Sequence, residues 1–301
     1  MIATDTSTAI RFTVNGDTVT DNVTGLVWPV LAQVAETGLS WVEAFGFIRE
    51  MNVRKAFGFS DWRLPNRREL YSLIDHGSRE PALPPGHPFE HVWGGKCWTS
   101  TTSARDGAYA WWVQFSGGRM FFGHKADDAV VWPVRGRSTT LFVTGQQTCH
   151  SSYGEPVQCA GSGQDGELRM GLSWPEPRFE LADGGVEDRL SGLIWSGQAD
   201  LTGRMVDWAA ARQAVEDLAA RTDQAWRLPT IMELESLTDC AHADPALPAG
   251  HPFVSVQEAY WSATASGYDP KWAFCLYLHK GAVGVGFKAR PEFHAWAVRP
   301  A

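Results

Sequence analysis

The sequence predicts an α+β protein in which one unit is written twice, and three observations carry that expectation. First, short motifs return in the same order: TGLVW at Thr24 to Trp28 as SGLIW at Ser191 to Trp195, WRLPN from Trp62 as WRLPT from Trp226, ALPPGHPF from Ala82 as ALPAGHPF from Ala246. CWTSTTS from Cys97 matches YWSATAS from Tyr260, and WPVRG from Trp132 matches WAVRP from Trp296. The offset stays between 163 and 167, a register that unrelated segments do not hold over such a length. Second, the first half of each copy places apolar residues at helical spacing; third, its last part alternates with period two. The units are set at residues 10–137 and 177–301, each expected as two helices packed on small antiparallel sheets.

The chain has 301 residues, 44% of them hydrophobic and 20% charged, enough to fill two cores and too apolar for disorder. Its net charge of -8 argues against a general nucleic-acid binder. No run of 18 apolar residues occurs, so membrane insertion is not expected. The opening MIATDTSTAI lacks the charged start and apolar core of a secretory signal. Five cysteines without a CxxC pair exclude a zinc ribbon.

Each unit opens on a hairpin: in RFTVNGDTVTD, Asn15-Gly16 sits between β-forming residues. Asp17 and Asp21 are the only hint of calcium, and they lack the spaced set of oxygen ligands such an ion takes. A helix follows, with Ser40 and Glu43 as a capping box and Trp41, Ala44, Phe45, Ile48 and Met51 on one face. In the second copy Asp207 caps a helix with Trp208, Ala211, Val215 and Leu218 inward. A shorter helix follows WRLP, capped by Asn66 with Glu69 and by Thr230 with Glu233, burying Leu70, Leu73 and Ile74.

The β part follows. Tyr109, Trp111, Val113 and Phe115 alternate with Ala110, Trp112 and Gln114, and Trp272, Phe274, Leu276 and Leu278 with Ala273, Cys275, Tyr277 and His279. Such alternation predicts one core face and one outer face. After a turn at Gly117-Gly118 or Gly281, Met120 and Phe122 (Val283 and Val285) point inward, and a last strand lies near Val130 to Val134 or Ala295 to Arg299. Residues 138–176, rich in Gly, Ser and Gln, read as a linker or long hairpin whose Cys149 and Cys159 are either bridged or two free thiols.

TVTDNVTGLVW, the W-x-x-A helix, GFSDWRLPNRREL, CWTST and the closing WPVRG resemble the Lcl C-terminal domain family, formerly DUF1566, over nearly the whole chain and twice. The resemblance implies a C-type-lectin-like fold related to the formylglycine-generating type. It also implies a binding or adhesion role, since the family is named for the end of a bacterial collagen-like adhesin that binds sulfated glycans. Some members sit among variable proteins of diversity-generating retroelements, which would put variable residues in 260–301. Family habit and a Cys149–Cys159 bridge favour a cell-surface or extracellular location; the missing signal argues the other way.

The duplication separates scaffold from site. Five tryptophan pairs stand at matched positions and are expected in the core: Trp28 with Trp195, Trp41 with Trp208, Trp62 with Trp226, Trp98 with Trp261, Trp132 with Trp296. Arg63, Arg227, Arg135 and Arg299 are expected to tie loops. The candidate ligand-binding residues lie on the outer face around the unmatched Trp112: Trp112, Gln114, Arg119, Phe121 and Lys125, and on the equivalent face of the second copy Tyr277, His279, Lys280, Lys288 and Arg290. Flat rings stack on sugar rings, and Lys and Arg pair with sulfate or carboxylate. Residues 91–137 and 260–301 each carry a surplus of three positive charges in an otherwise acidic chain.

No catalytic motif appears: HExxH, GxSxG and a phosphate loop are absent, and GSGQDG has no helix after it. His87 and His251 recur singly inside GHPF as turn or core residues. Cys97 and Cys275 stand at unmatched positions, unlike the paired reactive cysteines of the formylglycine-generating relatives. The calcium-site triplets of sugar-binding lectins are missing. The sequence therefore predicts a non-catalytic protein that binds an anionic glycan or a protein surface, without cofactor or metal. The alternatives are a structural module whose β face docks on a partner chain or on the sister unit, and a diversified receptor.

Overall fold

The computed structural model describes residues 11–301; Ile10, where the first unit was expected to begin, lies outside the described residues. The first unit starts with β1 (Phe12–Asn15) and β2 (Thr18–Asp21), joined as expected at Gly16, whose φ of 60° closes the turn. β3 (Val27–Pro29) completes a three-stranded sheet. Asp21, in the acidic cluster, pairs with Arg11 at 3.1 Å. α1 (Trp41–Val53) and α2 (Arg67–Tyr71) carry both capping boxes and bury the expected faces. β4 (Lys96–Thr102), β5 (Tyr109–Gln114) and β6 (Arg119–His124) follow.

The second unit repeats this order as β9 (Phe179–Ala182), β10 (Gly185–Asp188), β11 (Leu193–Trp195), α4 (Trp208–Thr222), α5 (Ile231–Ser236), β12 (Tyr260–Ala265), β13 (Trp272–Tyr277) and β14 (Ala282–Phe287). Its closing strand β15 (Val298–Pro300) pairs with β11, a little later than expected. In the first unit the counterpart of that pairing is a single bridge, Val27 with Arg135, and the bridges Cys97 with Val130 and Arg63 with Val134 match Tyr260 with His294 and Arg227 with Val298.

Matched tryptophans sit in matched contacts. Trp28 meets Trp132 edge-on at 5.7 Å, as Trp195 meets Trp296 at 5.2 Å. The indole N–H of Trp98 donates to Leu39 O and that of Trp261 to Val206 O; Trp41 donates to Thr99 O and Trp208 to Ser262 O. A buried indole gains from such a partner, and these two pairs tie the helix region to the sheet in the same way twice, whereas the Trp28, Trp195 and Trp226 N–H groups are buried without a protein acceptor. Nine of the ten are buried; Trp208 is half-exposed.

The units are not beads on a string. Their sheets fuse edge to edge through β14 and β6, Val283 opposite Met120, into a six-stranded antiparallel sheet of order β12-β13-β14-β6-β5-β4. One core crosses the joint, and inside it Arg67 reaches Glu235 at 3.2 Å and Gly281 O at 2.7 Å while lying 4.0 Å from the Trp111 ring. A buried guanidinium needs such partners to offset its desolvation.

Two expectations change here. The second face of the sheet is not simply an outer face: Trp98 and Ala110 pack under α1, and Trp261, Ala273 and Cys275 under α4. Helices cover both ends of that face and leave only its middle open. Phe122 and Val285, expected inward, are half-buried. The segment between the units takes the hairpin alternative, with its bridge formed, and what changes is that it is packed on the first unit. A two-stranded hairpin, β7 (Cys149–His150) with β8 (Pro156–Val157), is closed by the Cys149–Cys159 disulfide, and α3 (Asp165–Leu168) follows. It is fastened to the first unit: Gln146 makes two hydrogen bonds with the Thr102 backbone, Asn66 donates to Met170 O, and buried Asp165 accepts from Thr101 at 2.7 Å, as it does from Thr144 of its own segment.

Candidate functional site

The joint between the units builds the site from residues that lie far apart in sequence. Register places Trp98, Trp112 and Phe121 side by side across β4, β5 and β6, and Lys96, Gln114 and Arg119 in the next row. Trp112 stacks on Phe121 at 6.2 Å and 29°. Across the joint Phe121 meets the Tyr277 ring at 5.8 Å. Glycine at position 284 permits this, because a Cβ there would stand 2.6 Å from the Tyr277 ring. The Lys280 ammonium lies 4.8 Å from both the Phe121 and the Tyr277 centroid, and that of Lys96 lies 5.5 Å from Trp112. The result is a half-buried aromatic strip with a cation at each end, a geometry in which ring faces hold the ammonium groups by their quadrupoles.

At the Tyr277 end the strip opens on a cavity of about 480 Å³ lined by Tyr277, His279, Lys280, Glu292, Phe293 and His294. Burial, with Arg105 nearby, lowers the Lys280 pKa from its ordinary value. Burial raises the Tyr277 hydroxyl, so it acts as a hydrogen-bonding group rather than an anion. Rings, an amide at Gln114 and ammonium groups together suit a flat ligand that bears negative charge.

Of the ten residues expected to bind ligand, Trp112, Gln114, Phe121, Tyr277 and Lys280 share this strip, with His279 at its rim. Arg119 lines a separate cleft of about 430 Å³ with Tyr268, Asp269 and Trp272. Lys125 does not face solvent: it is buried 3.9 Å over Trp41 and donates to the carbonyls of His150 and Ser151. Burial depresses its pKa to about 7. Lys288 lies 4.5 Å over Trp208 and donates to Pro270 O, and Arg290 stands by Phe287 at the far end of β14. Sequence parity identified the face, but not which of its residues α1, α4 and the disulfide segment cover.

The sequence also named Lys96 only as a charge; its place beside Trp112 follows from the pairing of β4 with β5, which no local motif announces. The expected scaffold arginines hold ion pairs: Arg63 with Glu69 at 2.7 Å and Arg227 with Glu233 at 2.6 Å, Arg135 with Asp61 at 2.8 Å. Arg299 donates to the carbonyls of Asp183 and Pro300. His87 and His251 stack on Phe89 and Phe253. Cys97, Cys240 and Cys275 are buried with thiol pKa values pushed up by desolvation, to about 12 for Cys97 and Cys240. No helix among the described residues is long and apolar enough to cross a membrane. No group of three or more His, Cys, Asp or Glu among them could hold a metal ion.

The model of the Lcl C-terminal domain family matches residues 17–135 and again 184–299. The chain belongs to that family, with two tandem copies of its domain. No curated protein matches the chain.

Proposed function

We propose that this family member is a non-catalytic binding protein that takes an anionic glycan, or an acidic protein surface, on the aromatic strip at the joint of its two units. The observation that carries the reading is Lys280, 4.8 Å from a ring of each unit. Neither unit alone has that site, since Phe121 comes from one and Tyr277 from the other. Because the units join by sheet edges, the sister unit leaves the middle of this face open, which speaks for a ligand there rather than for mutual burial. We read each unit as C-type-lectin-like on the strength of its family. The Cys149–Cys159 bridge fits a protein that meets an oxidising compartment.

The test is retention on heparin-agarose. Lys96→Ala with Lys280→Ala should elute at clearly lower salt than the wild type, while Lys288→Ala with Arg290→Ala, at the far end of the sheet, should elute with it. Equal retention of the first pair and the wild type would remove the strip from the binding surface.

A further inference from the structure

The second unit carries an open groove of about 530 Å³, lined among others by Trp208, Arg212, Trp226, Arg227, Thr230 and Ala263. In the first unit the same position is filled. Trp41, Phe45, Trp62, Arg63, Asn66 and Ser100 are the counterparts of those six residues, and residues 163–170 of the disulfide segment lie on them. A Cβ on Gly163 would stand 3.2 Å from the Phe45 ring, Asn66 donates to Met170 O, and the Asp165 carboxylate receives the Thr101 hydroxyl at 2.7 Å.

The consequence is measurable in one ion pair. Arg63 and Glu69 are 11% and 1% exposed, whereas their twins Arg227 and Glu233, in the same geometry, are 42% and 21% exposed. Trp41 is buried and Trp208 half-exposed. The hydroxyl that holds the segment is also duplicated. Thr101 Oγ1 accepts the Arg67 N–H at 3.0 Å and donates to Asp165. Thr264 Oγ1 accepts the Ile231 N–H at 3.0 Å, and its own proton meets no protein acceptor among the described residues.

We propose that this groove is a docking site for an extended acidic peptide of a partner protein, seated as residues 163–170 are seated on the first unit. The carboxylate takes the Thr264 hydroxyl. Arg212 and Arg227, each already paired with a glutamate, flank it, and the peptide covers Trp208. Main-chain contacts with one anchoring side chain are an established way for folded domains to hold peptides.

The experiment is selection of a displayed library of random peptides on the intact chain, with Ala263→Arg and Thr264→Val as parallel baits. Ala263 is exposed, so arginine there fills the groove without entering the core. The expected result is enrichment of Asp- or Glu-containing sequences. Synthetic copies should bind at least about tenfold more weakly to either variant, a loss of about 1.4 kcal/mol. Both variants should still unfold in one cooperative transition, Thr264→Val at a lower midpoint because the Ile231 N–H loses its acceptor, which shows that the fold is kept. No enrichment, binding to both variants as tight as to the wild type, or self-association that Ala263→Arg abolishes would each overturn the proposal, the last by giving the groove to a second copy.

Discussion

The two units share a lysine laid over the first tryptophan of their long helix and differ in what lies on top of it. In the first, Lys125 sits 3.9 Å from Trp41 beneath the hairpin; in the second, Lys288 sits 4.5 Å from Trp208 and the indole stays half-exposed. The residues the copies hold in common build one scaffold, yet the same pair is core in one copy and surface in the other. Cover, not residue identity, decides burial here, and the cover is residues 144–170, of which the chain has one.

The largest effect that tests this contrast is removal of the twin indoles. Trp41→Ala should lower stability by about 3–5 kcal/mol, as large-to-small changes of buried aromatics do. Trp208→Ala should cost measurably less, because part of that ring faces water in the native state. Denaturant midpoints of the two variants decide it, and equal losses would mean that the cover adds nothing to the site beneath.

Next in size is the clasp that holds the cover closed. Cys149→Ser with Cys159→Ser removes a bridge over a separation of 10 residues, and loss of such a closure lies at about 2–4 kcal/mol. The loss should be local: limited proteolysis should cut first in residues 149–159, and the first unit should then present Trp41 much as the second presents Trp208. Cleavage starting in α4 instead would show that the segment is held by its other contacts.

Much of this was legible in the sequence. The capping boxes at Ser40, Asn66 and Thr230, the turn at Gly16 and the tryptophan pairs are local signals, and each element formed where its residues placed it. The disulfide segment reads as a linker or long hairpin because its Gly, Ser and Gln composition speaks of turns, and the hairpin forms, but its docking on the first unit does not show in that composition. Its attachment rests on single polar anchors, Gln146 and Asp165, that composition does not distinguish from solvated ones. The fused sheet was hidden for a related reason: the β14–β6 contact joins edges, and edge pairing runs through backbone groups that carry no side-chain signature. Five of the ten ligand candidates converge on the strip because parity was read correctly. Lys125 failed because parity tells which face a residue takes and not what covers the face.

The smallest effect is the dependence of the cover on pH, and it sharpens the contrast because it arises from groups the segment buries. Asp165 is fully buried, and desolvation raises its pKa to about 6 against the pull of its two threonine hydroxyls. A carboxyl that holds its proton longer folded than unfolded favours the fold below about pH 4, and that contribution is lost as pH rises to about 6. Lys125 runs the other way. Its pKa of about 7, depressed by burial despite the nearby Asp106, lies under the ordinary lysine value, so the unfolded chain binds more protons above neutrality. Stability then climbs from about pH 7 towards about pH 10, by at most about 1.4 kcal/mol per pH unit for one proton. Together they put the weakest hold of the segment near pH 6 to 7. Subtracting the unfolding free energies of Lys125→Met and Asp165→Asn from the wild type at each pH isolates the two slopes. The Lys125 difference should change steadily above pH 7 and the Asp165 difference only below about pH 6. Flat differences in both would mean that these two groups keep ordinary proton affinities under the cover, and hence that the segment lies more loosely on the first unit than its hydrogen bonds describe.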